Sequence, residues 1–288
     1  MQRIDAHHHV WDLAVRDQPW MSGDGMGPIR RSYGIDEFVA EAAASGVGAS
    51  VVVQTVTEIT ESEELLDLAA DTPQIVGVVG WADLAAVDVG QQLDRLQSMR
   101  SGRWLVGIRS MVQYEPDPAW LQRPAVLAGL REVARRGLVN ELLVLPGQLD
   151  AVAAAVREVP DGRFVLDHMA KPPIATTQWE PWATDLAEVA KCDNVVVKLS
   201  GLVTEAGWST WTPALIRPYV EQVISVFGAG RILFGSDWPV CTLAASYGQV
   251  VALADDLIGG LSATQHEAIF GGNATATYTL DTTLLEAP

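Results

Sequence analysis

A single-domain (β/α)8 barrel of the TIM type is the fold this sequence predicts. Three observations predict it: eight short apolar, β-branched runs, a helical periodicity before each run after the first, and no linker, repeat or low-complexity break across 288 residues. Parallel strands buried on both faces read as near-continuous apolar runs rather than alternating ones. Eight βα units in about 250 residues is the size of such a barrel. A doubly wound open sheet would need a Gly-rich phosphate loop after an early strand, and the chain has none. The expected domain therefore runs over 1–288.

The elements follow in order. RIDAHHH (3–9) opens the chain and ends on three histidines. SVVVQT (50–55) follows a helix over 35–45, and QIVGVVGW (74–81) follows a Glu- and Leu-rich helix over 61–70. WLVGIRS (104–110) follows QQLDRLQSM. NELLVLP (140–146) follows LAGLREVARRG, whose Gly137 reads as a helix C-cap. RFVLDH (163–168) follows a helix over 148–158, NVVVKLS (194–200) follows DLAEVAKC, and RILFGSD (231–237) follows a helix over 213–227. A last helix is expected in TQHEAIF.

Composition narrows the function classes. No apolar stretch approaches the roughly 20 residues a membrane span needs, and MQRIDAHHH lacks the basic-then-apolar order of a signal peptide. The two cysteines, Cys192 and Cys241, have no metal-finger spacing, and reduced thiols suit the cytoplasm, the expected location. A formal charge of −17 repels phosphate backbones, so nucleic acid is an unsuitable partner; the charge says nothing about the small-molecule substrate that is expected. The oligomeric state stays open, a homo-oligomer included.

In a TIM barrel the chemistry sits at the C-terminal ends of the strands. Those ends carry His7, His8 and His9 on the first run, Gln54 on the second, and Trp81 and Asp83 on the third. The fourth ends in Arg109, with Gln113 just beyond. The sixth ends in Asp167 and His168, followed by Lys171; the seventh in Lys198 and Ser200; the eighth in Asp237, within FGSDWPVC. Side chains alternate along a strand, so His7 and His9 point one way and His8 the other. A HxH pair with a distant carboxylate is an N/N/O metal set. A tag remnant is set aside, because these histidines lie inside IDA…VW. His8 is expected in packing and His266 on the surface. Arg109 and Lys198 are either substrate ligands or counter-charges to Asp237 and Asp167. Trp11, Trp81 and Trp238 offer apolar walls or packing.

The blocks IDAHHHVWD, VGIRSMVQYEPDPAWL, FVLDHMAKPPI, VVVKLSGLVTEA and FGSDWPVC together resemble the amidohydrolase superfamily, in its lactonase-like branch. That branch holds L-fuconolactonase, L-rhamnono-lactonase and 2-pyrone-4,6-dicarboxylate lactonase. The resemblance runs from Ile4 to about Tyr278 in the family's block order. It implies a distorted barrel and hydrolysis of a small, sugar-derived lactone. His7 and His9 match the family's HxH, His168 its strand-6 histidine, and Asp237 the aspartate that serves as general base. The expected arrangement is that His7, His9, His168 and Asp237 hold one Zn²⁺, or that His7, His9 and His168 polarise the carbonyl without metal. Arg109, Gln113, Lys198, Trp81 and Lys171 are the expected substrate-binding residues.

Two departures stand out: Ser110 and Gln148 occupy positions where the branch usually carries histidine. Strand 5 offers no histidine or lysine to bridge two metals, so a binuclear centre is not expected. The alternative activities are metal-dependent decarboxylation of an unsaturated or aromatic acid, and hydrolysis of another cyclic ester or amide. A non-catalytic sugar-acid binder would not need the general base. The segment 19–34 is expected to cover the mouth.

Overall fold

Eight parallel strands hydrogen-bond in chain order, β1 (Arg3–His8), β2 (Val47–Val53), β3 (Ile75–Gly80), β4 (Leu105–Ser110), β5 (Val139–Leu142), β6 (Arg163–Leu166), β7 (Val195–Leu199) and β8 (Ile232–Phe234). The structure is a computed structural model and describes residues 2–281 and 283. The outermost positions of the expected 1–288 domain therefore lie outside the described residues. Around the strands run α1 (Ile35–Ala44), α2 (Ile59–Asp71), α3 (Val89–Gln97), α4 (Pro124–Arg135), α5 (Leu149–Glu158) and α6 (Trp182–Ala190). They are followed by α7 (Leu202–Glu205), α8 (Pro213–Phe227), α9 (Tyr247–Leu257), α10 (Ala263–Glu267) and α11 (Asn273–Tyr278). No helix of the described residues is long and apolar enough to cross a membrane.

The last seam of the barrel is narrow, because β8 has only three residues. β1 meets the chain beyond β8 through the Asp237 amide on the His7 carbonyl (2.8 Å) and the His9 amide on the Trp238 carbonyl (2.7 Å). Asp5 staples the same seam from within. Its fully buried carboxylate accepts the amides of His7 (3.0 Å) and Ser236 (2.9 Å) and the Tyr247 hydroxyl (3.1 Å). Closure is thus made at the mouth, where His7 and Asp237 must meet.

Two apolar layers hold the barrel. Inside it, Ile4, Val51, Val79, Val139, Val165 and Leu233 pack with Tyr278 and Leu280, so α11 and the residues after it plug the lower end. Outside it, the helices cover the other strand face in one continuous cluster. Each such aliphatic side chain contributes about 1.5–3 kcal/mol of burial, which is why the strands read as unbroken apolar runs.

Three expected boundaries shift. α4 begins at Pro124, where a fixed φ and a missing N–H suit the first helical turn. The C-terminal TQHEAIF helix is broken: α10 gives way to a wider turn over Ala268–Gly272 before α11. A Cβ on Gly271 would stand 2.7 Å from the Gln2 carbonyl oxygen, so glycine lets this turn reach the start of β1. The sixth and eighth runs leave the sheet before their polar ends. His168, Met169, Ala170 and Lys171 turn left-handed in succession (φ 50–57°), as does Asp237 (φ 58°). Such conformations are costly for non-glycine residues and cluster at functional sites.

Candidate active site

Three imidazoles and one carboxylate converge at the C-terminal mouth. His7 and His9 alternate with His8 on one strand, and their Nε2 atoms lie 3.1 Å apart. Asp237 Oδ1 lies 3.4 Å from His9 Nε2, 3.7 Å from His7 Nε2 and 3.9 Å from His168 Nε2. His9 is oriented by its Nδ1, which donates to the Val53 carbonyl (2.7 Å) and leaves the Nε2 lone pair facing the others. His168 Nδ1 lies 2.8 Å from Ser200 Oγ, and a Cβ on Gly201 would stand 2.9 Å from its ring, so the β7–α7 turn fits directly against it. On the opposite side of β8, Gly235 leaves room for His7, since a Cβ there would lie 2.7 Å from His7 Cβ.

His8 faces the helices. Its ring stacks on Phe38 at 3.7 Å and 10° between planes, and neither of its ring nitrogens has a partner among the described residues.

A cleft of about 280 Å³ opens above this floor. His9, His168, Asp237 and Arg109 form its base, and Gln113 and Lys171 also line it. Trp20 and Met26, from the segment expected over the mouth, and Trp208, after α7, make apolar walls. A Cβ on Gly25 (φ 90°) would meet the Trp208 ring at 2.9 Å, so these two loops touch. Arg109 is 2 % exposed; its Nη1 lies 3.3 Å from His7 Nε2 and 3.4 Å from Asp167 Oδ2, and its Nη2 donates to the Gln54 carbonyl. Its Nε has no partner among the described residues. Lys171 Nζ pairs with Glu205 Oε1 at 3.3 Å on the cleft side.

The remaining expected substrate ligands lie elsewhere. Lys198 is fully buried beneath His7 and outside the cleft lining, held by Glu141 and Asp167, so it takes the counter-charge reading toward Asp167. Trp81 is not among the cleft-lining residues; its amide donates to Ser62 Oγ at 2.7 Å. Trp11 and Trp238 are buried in packing around Tyr33. Gln148 braces two loops, donating to the Val112 carbonyl (2.8 Å) and accepting from the Leu145 amide (2.9 Å). Neither Gln148 nor Ser110 lines the cleft, which Met111 and Leu143 line instead.

Sequence reasoning missed Asp5, Glu141 and the Trp20–Trp208 walls. Asp5 and Glu141 each interrupt an apolar strand run, and a carboxylate there is almost never buried unpartnered. That was the available signal.

Charge states follow from burial. Burial pushes the Asp237 carboxyl up, but His168 and His9 outweigh it and bring it below the ordinary range. Burial holds His168 down to about 4 and, together with Lys198, holds His7 well below its ordinary value. At neutral pH an ionised Asp237 therefore faces neutral imidazoles of His7 and His168.

The match to the amidohydrolase family spans residues 4–280. The chain belongs to this family. The amidohydrolase is 38% identical to an L-fucono-1,5-lactonase of Burkholderia ambifaria over 97% of this chain and 96% of that protein. It is likewise 38% identical to an L-fucono-1,5-lactonase of Burkholderia multivorans, over 96% of each. A crystal structure of a B. multivorans amidohydrolase with bound Zn superposes at a TM-score of 0.91, with 37% identity over 98% of this chain and 100% of that one.

The donor set of the amidohydrolase fits a metal ion. Ligand atoms around a tetrahedral zinc, with bonds of about 2.0–2.2 Å, lie about 3.3 Å apart. The His7–His9 separation and those from Asp237 to His7, His9 and His168 run from 3.1 to 3.9 Å and bracket that value, and the His7, His168 and Asp237 ligand atoms all lie within 4.8 Å of one another. The His9 Nδ1 bond to the Val53 carbonyl is of the kind that commonly fixes a ligating imidazole.

Proposed function

We propose that this amidohydrolase hydrolyses a small sugar-derived lactone, with Asp237 as general base. The observation that carries the reading is the ionised Asp237 carboxylate set with His9, His168 and Arg109 at the base of a cleft of about 280 Å³, and with His7 packed just behind it. The lactonases that share 38% of its residues along nearly the whole chain support the substrate class.

Lactone opening needs an activated water, a polarised carbonyl and a proton for the leaving oxygen. Asp237 takes a proton from water as the water oxygen attacks the carbonyl carbon. The imidazoles at the base hold the developing oxyanion, with the Arg109 guanidinium charge beside them. When the ring C–O bond breaks, protonated Asp237 returns its proton to the departing alkoxide. The product acid then ionises and releases one proton to solvent. His7, His9, His168 and Asp237 are the residues that would hold one zinc, which when bound supplies Lewis-acid polarisation of the carbonyl. Gln113 and Lys171 line the cleft where sugar hydroxyls would sit, and Trp20, Met26 and Trp208 offer apolar faces to the ring carbons.

The test is proton release near neutral pH across five- and six-membered aldonolactones, with and without a strong chelator. Rapid release on at least one lactone is the expected result. Loss with chelator and recovery with zinc would assign the cluster as a working metal site; release unaffected by chelator would assign the polarisation to the imidazoles and Arg109. No release on any lactone would overturn the reading, and decarboxylation would be tested next.

A further inference from the structure

Beneath the catalytic floor lies a second cluster of ligating groups. His7 Nδ1 faces away from the cleft, and the His7, Glu141 and Asp167 ligand atoms lie within 4.8 Å of one another, all fully buried. One cation already sits among them. Lys198 Nζ is 2.7 Å from Glu141 Oε2, 3.2 Å from Asp167 Oδ1 and 3.1 Å from His7 Nδ1, and it is itself fully buried. The Tyr278 hydroxyl donates to the other Glu141 oxygen, so the carboxylate is held from both sides. These groups arrive from different strands: His7 from β1, Glu141 from β5, Asp167 from the end of β6 and Lys198 from β7.

An N/O/O donor set around a compact positive charge is the arrangement of a metal site with an ammonium at its centre. We infer that Lys198 is a positioning residue that serves as a built-in cation, occupying a second metal position formed by His7, Glu141 and Asp167. The active centre then accepts one metal ion and no more. Two buried carboxylates without a cation would be strongly destabilising, and the ammonium meets that need permanently. It also holds His7 from behind: with the Nδ1 lone pair on the ammonium, the neutral ring carries its proton on Nε2, and an ion bound there would displace that proton. Bonds to a transition metal are about 2.0–2.2 Å, shorter than the 2.7–3.2 Å ammonium contacts. Removing the lysine side chain leaves space for the same three ligands to close around an ion.

The inference deepens the hydrolase reading but is read out by metal content, so its failure and the failure of the lactonase assignment are separable. Zinc and manganese are titrated into the wild type, Lys198→Ala and the charge-neutral Lys198→Met/Glu141→Gln pair, with bound metal counted after desalting and melting followed in parallel. The wild type should retain no more than about one equivalent, and Lys198→Ala about two, because each equivalent needs its own ligand set. The melting temperature of Lys198→Ala should rise with divalent ion further than that of the wild type. The double variant should fold without metal and lose the second equivalent. A wild type that takes up two equivalents would overturn the inference. So would a Lys198→Ala protein that stays at one equivalent with no added metal response. Failure of Lys198→Ala to fold even with zinc, beside a folded double variant, would also overturn it, because metal would then not replace the ammonium.

Discussion

His7, His8 and His9 are chemically alike, and the backbone alone gives them different tasks. The pleat sends His7 and His9 toward Asp237, with His9 lining the cleft, and His8 into the helix layer against Phe38. This division was legible, because strand alternation is a property of the backbone. The role of Lys198 was not, since its two readings differ only in which carboxylate reaches it from a distant strand. Glu141 was hidden in an apolar run for the same reason: no local pattern says that β7 will bring it a lysine. His8→Asn should cost about 1–3 kcal/mol through loss of the ring stacked on Phe38 and the space it leaves, while kcat stays within a few-fold of wild type. A collapse of kcat in a folded His8→Asn protein would place the ring in the cleft instead.

At the scale of elements, the strands and most helices fall where apolar runs and periodicity place them, with ends that move by a few residues. The functional ends are the exception. Asp167–Ala170 and Gly235–Asp237 belong to turns that leave the sheet, and a positive φ at His168, Lys171 or Asp237 has no glycine to announce it. Pro172 and Pro173, after Lys171, mark only that regular structure stops there. Gly235 makes the joint between β8 and β1 possible. Gly235→Ala would set a methyl 2.7 Å from His7 Cβ and 3.3 Å from Ser200 Cβ. Overpacking of this kind costs about 1–3 kcal/mol, and the displaced His7 should lower kcat by at least about tenfold, since small misplacements at a reacting centre carry large rate costs. Urea midpoints and steady-state rates check both; unchanged values would mean that the seam is looser than its contacts indicate.

For the whole molecule, the barrel was predictable because eight near-continuous apolar runs leave few alternatives. The way it closes was not, because the seam depends on Asp5 meeting the Ser236 amide from the other end of the chain. Burial of this polar interior also sets the acid response. His7 and His8 are held well below 6.5 and His168 at about 4, so below pH 6.5 the unfolded chain binds three protons that the folded one refuses. Burial raises Asp5 and Glu141 to about 6 and raises Glu61 as well, so below about pH 6 the folded chain takes up protons that the unfolded one does not, which offsets the histidines. The histidine loss is therefore least opposed between about pH 6.5 and 6, and stability should fall on acidification through that range. Denaturant midpoints in the presence of chelator measure this directly, and a flat or rising stability from pH 7 to pH 6 would show that the histidines titrate normally.

The central claim is that Asp237 moves the proton that opens the lactone. It is tested most directly by proton release from an active aldonolactone with wild type and Asp237→Asn side by side, each first shown to be folded by circular dichroism. Loss of a general base that also returns the proton should lower kcat by about 10²–10⁴, with melting little changed. A folded Asp237→Asn protein that turns over at near-wild-type rates would contradict the assignment.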